Sequence, residues 1–312
     1  MSLLQEVALT PDVFLESGYS QPAFCDLCLG MLQPALLGET VVRDLRDGLW
    51  SRQFSNGPLS LHPAGQKLLK ALAEANRLVP APAELDSVPS EPVEWGREAQ
   101  ASHKRIKLSA IICGRHVHRK LDGPPRTLCV ETIHESDWWR KRSCSVRLRR
   151  TTADYRQHLD PVLRCSTSLM FIDPHLDPSR SHYSEFHQLL ESANGQRVRP
   201  SIELHRVCYE SSGRDRRILK LPELQECFAD LGQRLHRAGL HAGVFVWDDF
   251  HDRYLISNLV GISIPNGFDT TKDKNAQTTW TRLSSRDRDD VQREFDPAAS
   301  RHELKFRFPI GG

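Results

Sequence analysis

The sequence predicts an α/β protein: a mixed sheet flanked by helices in the C-terminal half, preceded by a mainly helical, winged-helix-like N-terminal region. Three observations carry this. After about residue 150, short apolar runs alternate with helical stripes in the order β-α-β-α-β-β-β. Before residue 80, apolar residues recur at helical spacing instead. Between the two, "VPAPAELDSVPSEP" (79–92) is rich in proline, alanine and serine and has no period, which reads as a linker. The implied divisions are a helical region over 1–80, a linker over 81–100, a basic connecting segment over 101–150 and the α/β domain over 151–312.

Each element has its own signal. Pro63 opens "PAGQKLLKALAEANRL", which places Leu68, Leu69, Leu72 and Ala75 on one helical face. "TVVRDLRDGLWSRQF" before it reads as a helix followed by a strand, and small helices with a strand pair make a winged-helix-like module. "SLMFID" (168–173) is a buried strand stopped by Pro174. "YSEFHQLLESA" puts Tyr183, Phe186, Leu189 and Leu190 on a helical stripe closed by Asn194-Gly195. "SIELHRVCY" is a strand. "PELQECFADLGQRLHRAG" carries Leu224, Phe228, Leu231 and Leu235 at helical spacing and ends at Gly239. "GVFVW", "RYLIS" and "LVGISIP" complete the strands.

At 312 residues, with 39% hydrophobic and 26% charged residues, the chain can bury an ample core. No apolar run approaches the roughly 18 residues of a membrane span. The first residues lack the basic and apolar regions of a signal peptide. The eight scattered cysteines suit a reducing compartment, so the expected location is cytoplasmic. Net charge is +2 but uneven: residues 1–100 carry −6, residues 101–150 carry +9 and residues 151–312 carry −1. A basic block in a near-neutral chain points to a phosphate-bearing partner, set against the blander reading of a solvated face.

The densest chemistry lies in "VFVWDDFHDRYLISNLVGISIPNGFD" (244–269). If "RYLIS" is a strand, alternation puts Arg253, Leu255 and Ser257 on one face, and His251 shares their parity. A guanidinium binds phosphate oxygens in pairs, while an imidazole can attack phosphorus or carry protons near neutral pH. The spacing His251-x-Arg253-x4-Asn258, with Gly267 in the turn that follows, resembles the phospholipase D superfamily signature His-x-Lys-x4-Asp. The resemblance is closer to the phospholipase D-like C-terminal domains of MIT-domain proteins, through "FIDPHLD", two amphipathic helices, "HDRYLIS" and "GFD". It covers roughly residues 165–270.

That resemblance implies a phospholipase D-like sandwich and a metal-independent phosphodiesterase acting through a His251 phosphoenzyme. Arg253 would hold the phosphate, with Asn258, Asp252 and Asp269 as the remaining candidates. Superfamily sites join two motifs. This chain has one, so a homodimer with paired His251 is the expected active form. Arginine replaces the usual lysine, and Asn258 lacks the usual carboxylate. The MIT-linked branch is associated with membrane or phosphoinositide binding, so a non-catalytic phosphate-binding module is the rival.

"WWRKRSCSVRLRR" adds Trp138, Trp139, Arg140, Lys141, Arg142, Arg147 and Arg149, a stacking and phosphate-neutralising surface or else a domain-joining strand with an interface. Arg282 is a further candidate, and "TTWTRLSSRDRDDVQREFDP" reads in part as a surface helix with internal ion pairs. Nucleic acid is the expected partner, with a phospholipid headgroup as the other source of phosphate. A nuclease of a bacterial defence system fits this profile.

No cofactor is expected. Asp248, Asp249, His251 and Asp252 suggest a cation site, but neighbouring strand residues point to opposite sides. Cys25 and Cys28 with Cys113 and His116 match zinc spacing, yet "AFCDLCLGMLQ" reads as an apolar helix with core thiols. His175 follows a predicted strand end and reads as a loop histidine or as a neighbour of His251.

Overall fold

A computed structural model describes residues 2–56, 61–122, 127–195, 199–210 and 216–312. The chain is α/β and divides into two compact units, Leu3–Arg142 and Ser143–Gly312. Among the described residues no helix is long and apolar enough to cross a membrane.

In the first unit, β1 (Gln5–Leu9), β2 (Thr40–Asp44), β3 (Leu78–Pro80), β4 (Ala110–Cys113) and β5 (Thr127–Cys129) form a sheet in the order β3-β2-β1-β4-β5. All neighbours are parallel. The helices are α1 (Ala23–Glu39), α2 (Leu45–Asn56), α3 (Pro63–Glu74), α4 (Pro92–Arg105), α5 (Arg115–Lys120) and α6 (Asp137–Arg140). This is a doubly wound order, which reverses between β1 and β4. At that point Asp12, which follows β1, bonds the segment that follows β4. Its Oδ2 accepts from Gly114 N at 3.0 Å, and the Thr10 hydroxyl donates to its Oδ1. Burial pushes this carboxyl above the usual range.

The winged-helix-like expectation is therefore corrected. Buried parallel strands of four or five residues such as β1, β2 and β4 show no alternation of burial, so composition alone does not separate them from helix. "TVVRDLRDGLWSRQF" runs in the reverse of the expected order, strand first. Three left-handed residues inside the bounds of α2, Arg46, Asp47 and Gly48, turn the chain before its regular helical part. The expected linker over 81–100 is corrected as well: α4 begins at Pro92, inside a capping box between Glu91 and Glu94. Much of the basic segment over 101–150 is likewise not a connector, because it supplies β4 and the edge strand β5 of this unit's sheet.

The second unit holds β6 (Ser145–Arg149), β7 (Ser168–Ile172), β8 (Ser201–Val207), β9 (Ala242–Trp247), β10 (Tyr254–Ser257), β11 (Gly261–Ser263), β12 (Gln277–Arg282) and β13 (Leu304–Ile310). Its order is β13-β9-β8-β7-β10-β11-β12-β6. β7, β8 and β9 are mutually parallel, and every other neighbour is antiparallel. Its helices are α7 (Thr152–Cys165), α8 (His187–Glu191), α9 (Leu221–Cys227), α10 (Ala229–Ala238) and α11 (Ser285–Glu294). The long helix expected over 222–238 is two, parted at Phe228.

Alternation assigns the two faces. Phe171 meets Phe186 and Phe268 at ring distances of 5.4 and 5.1 Å, and Tyr155 of α7 meets Trp280 on the same face. On the opposite face His205 stacks on Phe245, and Phe295 beyond α11 covers it. Each fully buried aromatic contributes roughly 1.5–3 kcal/mol. Both sheet borders are cationic. β6 turns Arg147 and Arg149 to solvent, and β13 exposes Lys305 and Arg307 and contains Pro309.

Candidate functional site

The parallel strands β7, β8 and β9 end at one edge of the sheet, and antiparallel β10 starts there. The register aligns Ile172 with His205 and with Tyr254. One residue further, Asp173 lies between Arg206 and Arg253, and all three project from one face. The edge beyond the carboxyl ends of parallel strands is where open α/β sheets bind ligands.

Asp173 is fully buried and is the hub of this edge. Its Oδ2 accepts from Tyr183 OH at 2.8 Å and Phe268 N at 3.0 Å, and its Oδ1 accepts from His175 N at 3.1 Å. Arg253 Nε stands 3.7 Å from the same Oδ1, and Arg253 Nη1 donates to the His251 carbonyl at 3.1 Å. Gly267 has φ +68°, and a Cβ there would fall 2.1 Å from Asp173 Oδ2. The turn glycine is thus required twice, by backbone conformation and by the carboxylate's approach.

Arg206 is only 2% exposed. Its Nε donates to Val207 O at 3.0 Å and its Nη2 to Tyr209 O at 3.3 Å, while Nη1 has no partner among the described residues. Burial pulls its pKa down, and Asp177, Cys227, Tyr183 and Asp173 act against that. His175 is half-buried, and its pKa is lowered first by burial. Asp173 opposes this, and the charges of Arg253, Arg206 and His251 add to it. His251 is exposed at the rim. Near it Asp249 accepts from the Tyr209 hydroxyl and from Arg216 Nη1, which with the His251 charge hold its carboxyl below the usual range against burial.

The other sequence candidates are dispersed. Asn258 is corrected as a site residue. It sits beyond the far end of β10, where its Oδ1 accepts from Thr167 N at 2.9 Å and Ser168 N at 3.4 Å and so fixes the start of β7. Four strand residues, and so five residue steps, separate it from Arg253, about 16 Å at ~3.3 Å per step. Asp269 pairs with Arg150 at 2.5 Å, and its carbonyl accepts from Tyr155 OH, so it anchors the turn. Asp252 is exposed beside Tyr254, whose hydroxyl pKa is raised by burial and then by the Asp252 charge. Arg282 lies two strands from β10, opposite Ile262.

The tryptophan segment is split between the units. Trp138 is buried and Trp139 packs on the same core, so their rings are not an open stacking surface. Arg142 lies 3.6 Å over the Trp139 ring and pairs with Glu39 at 3.0 Å. Arg140 and Lys141 are exposed, the latter paired with Asp137 at 3.1 Å. Cys25 and Cys28 are buried, and burial pushes the Cys25 thiol up to about 11. Among the described residues no cluster of His, Cys, Asp or Glu is arranged to hold a metal ion.

Sequence reasoning left Asp173, Arg206 and Tyr183 out of the site. A charged residue inside an apolar strand, as in "IELHRV", is the signal that marks Arg206.

No family model matches the chain, and no curated protein matches it. Among solved structures it is similar to that of TrmBL2, described as an archaeal chromatin protein with a novel mode of DNA binding. The TM-score is 0.31 and the identity 8%, over 51% of this chain and 53% of that one. The match thus spans about half of each chain, and a similarity of that size carries no functional argument.

Proposed function

We propose that the second unit is a phospholipase D-like phosphodiesterase module, with Arg253 and Arg206 attracting the phosphate and His251 as nucleophile. The observation that supports this is the row Arg206–Asp173–Arg253, in which two guanidiniums flank one carboxylate at a strand edge. The exposed His251 beside it is open to a large substrate. Its attack would form a phosphorus–nitrogen bond as the bond to the leaving oxygen breaks, and water would then release the phosphate. In the superfamily the chain resembles, a second imidazole comes from another motif, which here means a second copy of the chain.

Nucleic acid is the proposed source of the phosphodiester. Exposed Arg140, Lys141, Arg147 and Arg149 favour it, although the buried tryptophans no longer do. Wild type and His251→Ala, incubated in EDTA with labelled single- and double-stranded DNA and RNA, test the proposal. Cleavage by wild type alone is the expected result. Cleavage that requires magnesium would refute the histidine mechanism.

A second reading, phosphate binding without hydrolysis, is favoured by one feature. Among the described residues no carboxylate is hydrogen-bonded to the His251 ring, and Asp173 already engages Arg253. Binding without cleavage by either protein would support it.

A further inference from the structure

We propose that the outer surface of α4 and α5 in the first unit binds the phosphodiester backbone of nucleic acid through Arg97, Lys104, Lys107, Arg119 and Lys120. This surface belongs to the first unit alone, so its role does not depend on cleavage by the second.

The sheet order reverses between β1 and β4, so right-handed crossovers place α4 and α5 on the face opposite α1 and α3. The two helices lie close together. A Cβ at Gly96 of α4 would fall 2.2 Å from Leu121 Cδ1, and Gln100 Nε2 donates to Asp122 O at 2.9 Å. Val93, Val117 and Leu121 are buried in this contact. Trp95, Ala99 and Ser102 also turn inward, so helical phase sets Arg97 and Lys104 on the outward line of α4. They stand two turns apart, about 10 Å at ~1.5 Å per residue. Lys107 follows the helix, and Arg119 and Lys120 are exposed on the adjoining α5.

All five cations are exposed, and among the described residues none of them makes an ion pair. Their basic neighbours differ: Arg105 pairs with Glu84 at 2.5 Å and Arg115 with Glu131 at 2.7 Å. Nearby carboxylates are committed elsewhere. Glu94 accepts from Ser90 N and Glu91 N in the helix cap, and Glu98 is buried against Arg46. Asp122 is exposed just beyond α5, and its single charge offsets one of the five.

The makeup of the surface selects the class of partner. Among the described residues, no large apolar side chain is exposed between residues 93 and 122. A helix lying on a membrane needs such side chains to enter the lipid, and a protein interface needs them as its buried core. Spaced cations without apolar anchors fit a backbone of regularly spaced phosphates instead, whose counterions they release on binding.

The test is fluorescence anisotropy with labelled duplex DNA and single-stranded RNA, titrated with the full chain in EDTA over a range of salt. The His251→Ala chain is used throughout, so that no probe is cleaved. Lys104→Ala/Lys120→Ala removes one lysine from each helix. Lys67→Ala/Lys70→Ala removes two exposed lysines from α3 on the opposite face, for the same change in net charge. The first pair is expected to weaken duplex binding about tenfold or more at roughly 0.1 M salt and to lower the salt slope by about 0.9 for each lysine. The second pair is expected to change neither. A loss confined to DNA or to RNA supports the proposal and names the source of the backbone. Equal losses from both pairs would mean attraction by net charge alone and would overturn it. So would a chain that binds neither probe, or lysines that matter only for binding to phosphatidylserine vesicles.

Discussion

Replacing Asp173 by alanine removes the acceptor for three donors at once: Tyr183 OH, Phe268 N and His175 N. It also strips Arg253 of its buried counter-charge. Each buried donor left without its acceptor costs about 1–3 kcal/mol, so losing several is a large share of a domain's total stability. Asparagine recovers little. Its amide must face either Phe268 N or the pair of His175 N and Arg253, and all of these are donors. Tyr183 alone can turn its hydroxyl round to accept. Urea unfolding of the full chain, monitored by tryptophan fluorescence, measures the loss.

Gly267→Ala supplies an internal check. Its added methyl collides with Asp173 Oδ2 in a left-handed turn, so it is strongly destabilising in the wild type. In an Asp173→Ala background the colliding atom is gone, and the Gly267→Ala cost should fall by more than 1 kcal/mol. A cost below about 1 kcal/mol for Asp173→Ala, or strict additivity with Gly267→Ala, would refute the claim that this carboxylate organises the edge.

His205 is neutral in the fold. The Trp247 indole N–H can only donate, so His205 Nδ1 accepts it at 3.1 Å and the ring proton sits on Nε2, facing Glu203 at 3.3 Å. Burial lowers its pKa below the unfolded value near 6.5, so the unfolded chain binds the extra proton. Stability is then full above about pH 6.5 and falls by up to about 1.4 kcal/mol per pH unit below it; His205→Phe should lose that component of the slope in urea titrations. Asn258→Ala removes the acceptor for two backbone amides and should cost about 1–3 kcal/mol in the same assay. It should leave phosphate binding at the Arg253 site unaltered, and weakened binding would return Asn258 to the site. In thiol titration of the native chain, Cys144 should react first as the exposed cysteine, and Cys25, whose pKa is raised by burial, should react only after unfolding.

Much of the second unit was legible because its helices carry wide apolar stripes and its central strands are bounded by Pro174, Gly239 and the Pro265-Asn266-Gly267 turn. The parity argument also set Arg253 on one face with Leu255. What escaped was whatever depends on strand ends meeting across the sheet. The spacing His251-x-Arg253-x4-Asn258 counts residues along one strand, so it cannot show that its last member lies at the other end. Asp173 and Arg206 belong to separate apolar runs, and only their pairing register reveals them as neighbours. The first unit was misread for a different reason. A strand such as "AIIC" is buried at every position and too short to show a period. The paired tryptophans were open to both readings, because sequence gives their aromatic character but not which surface they cover.

The cationic borders of the eight-stranded sheet constrain how this unit can associate. A second copy that tried to continue the sheet past β6 would bring Arg147 and Arg149 against their own counterparts. At the opposite border the newcomer would meet Lys305 and Arg307, and Pro309 offers no amide to it. Like charge and a missing donor penalise lateral growth at both ends, so the sheet is disfavoured as a template for open-ended stacking of chains. Self-association, if a homodimer forms, therefore belongs to the helical faces or the loop-bearing edge rather than to backbone pairing.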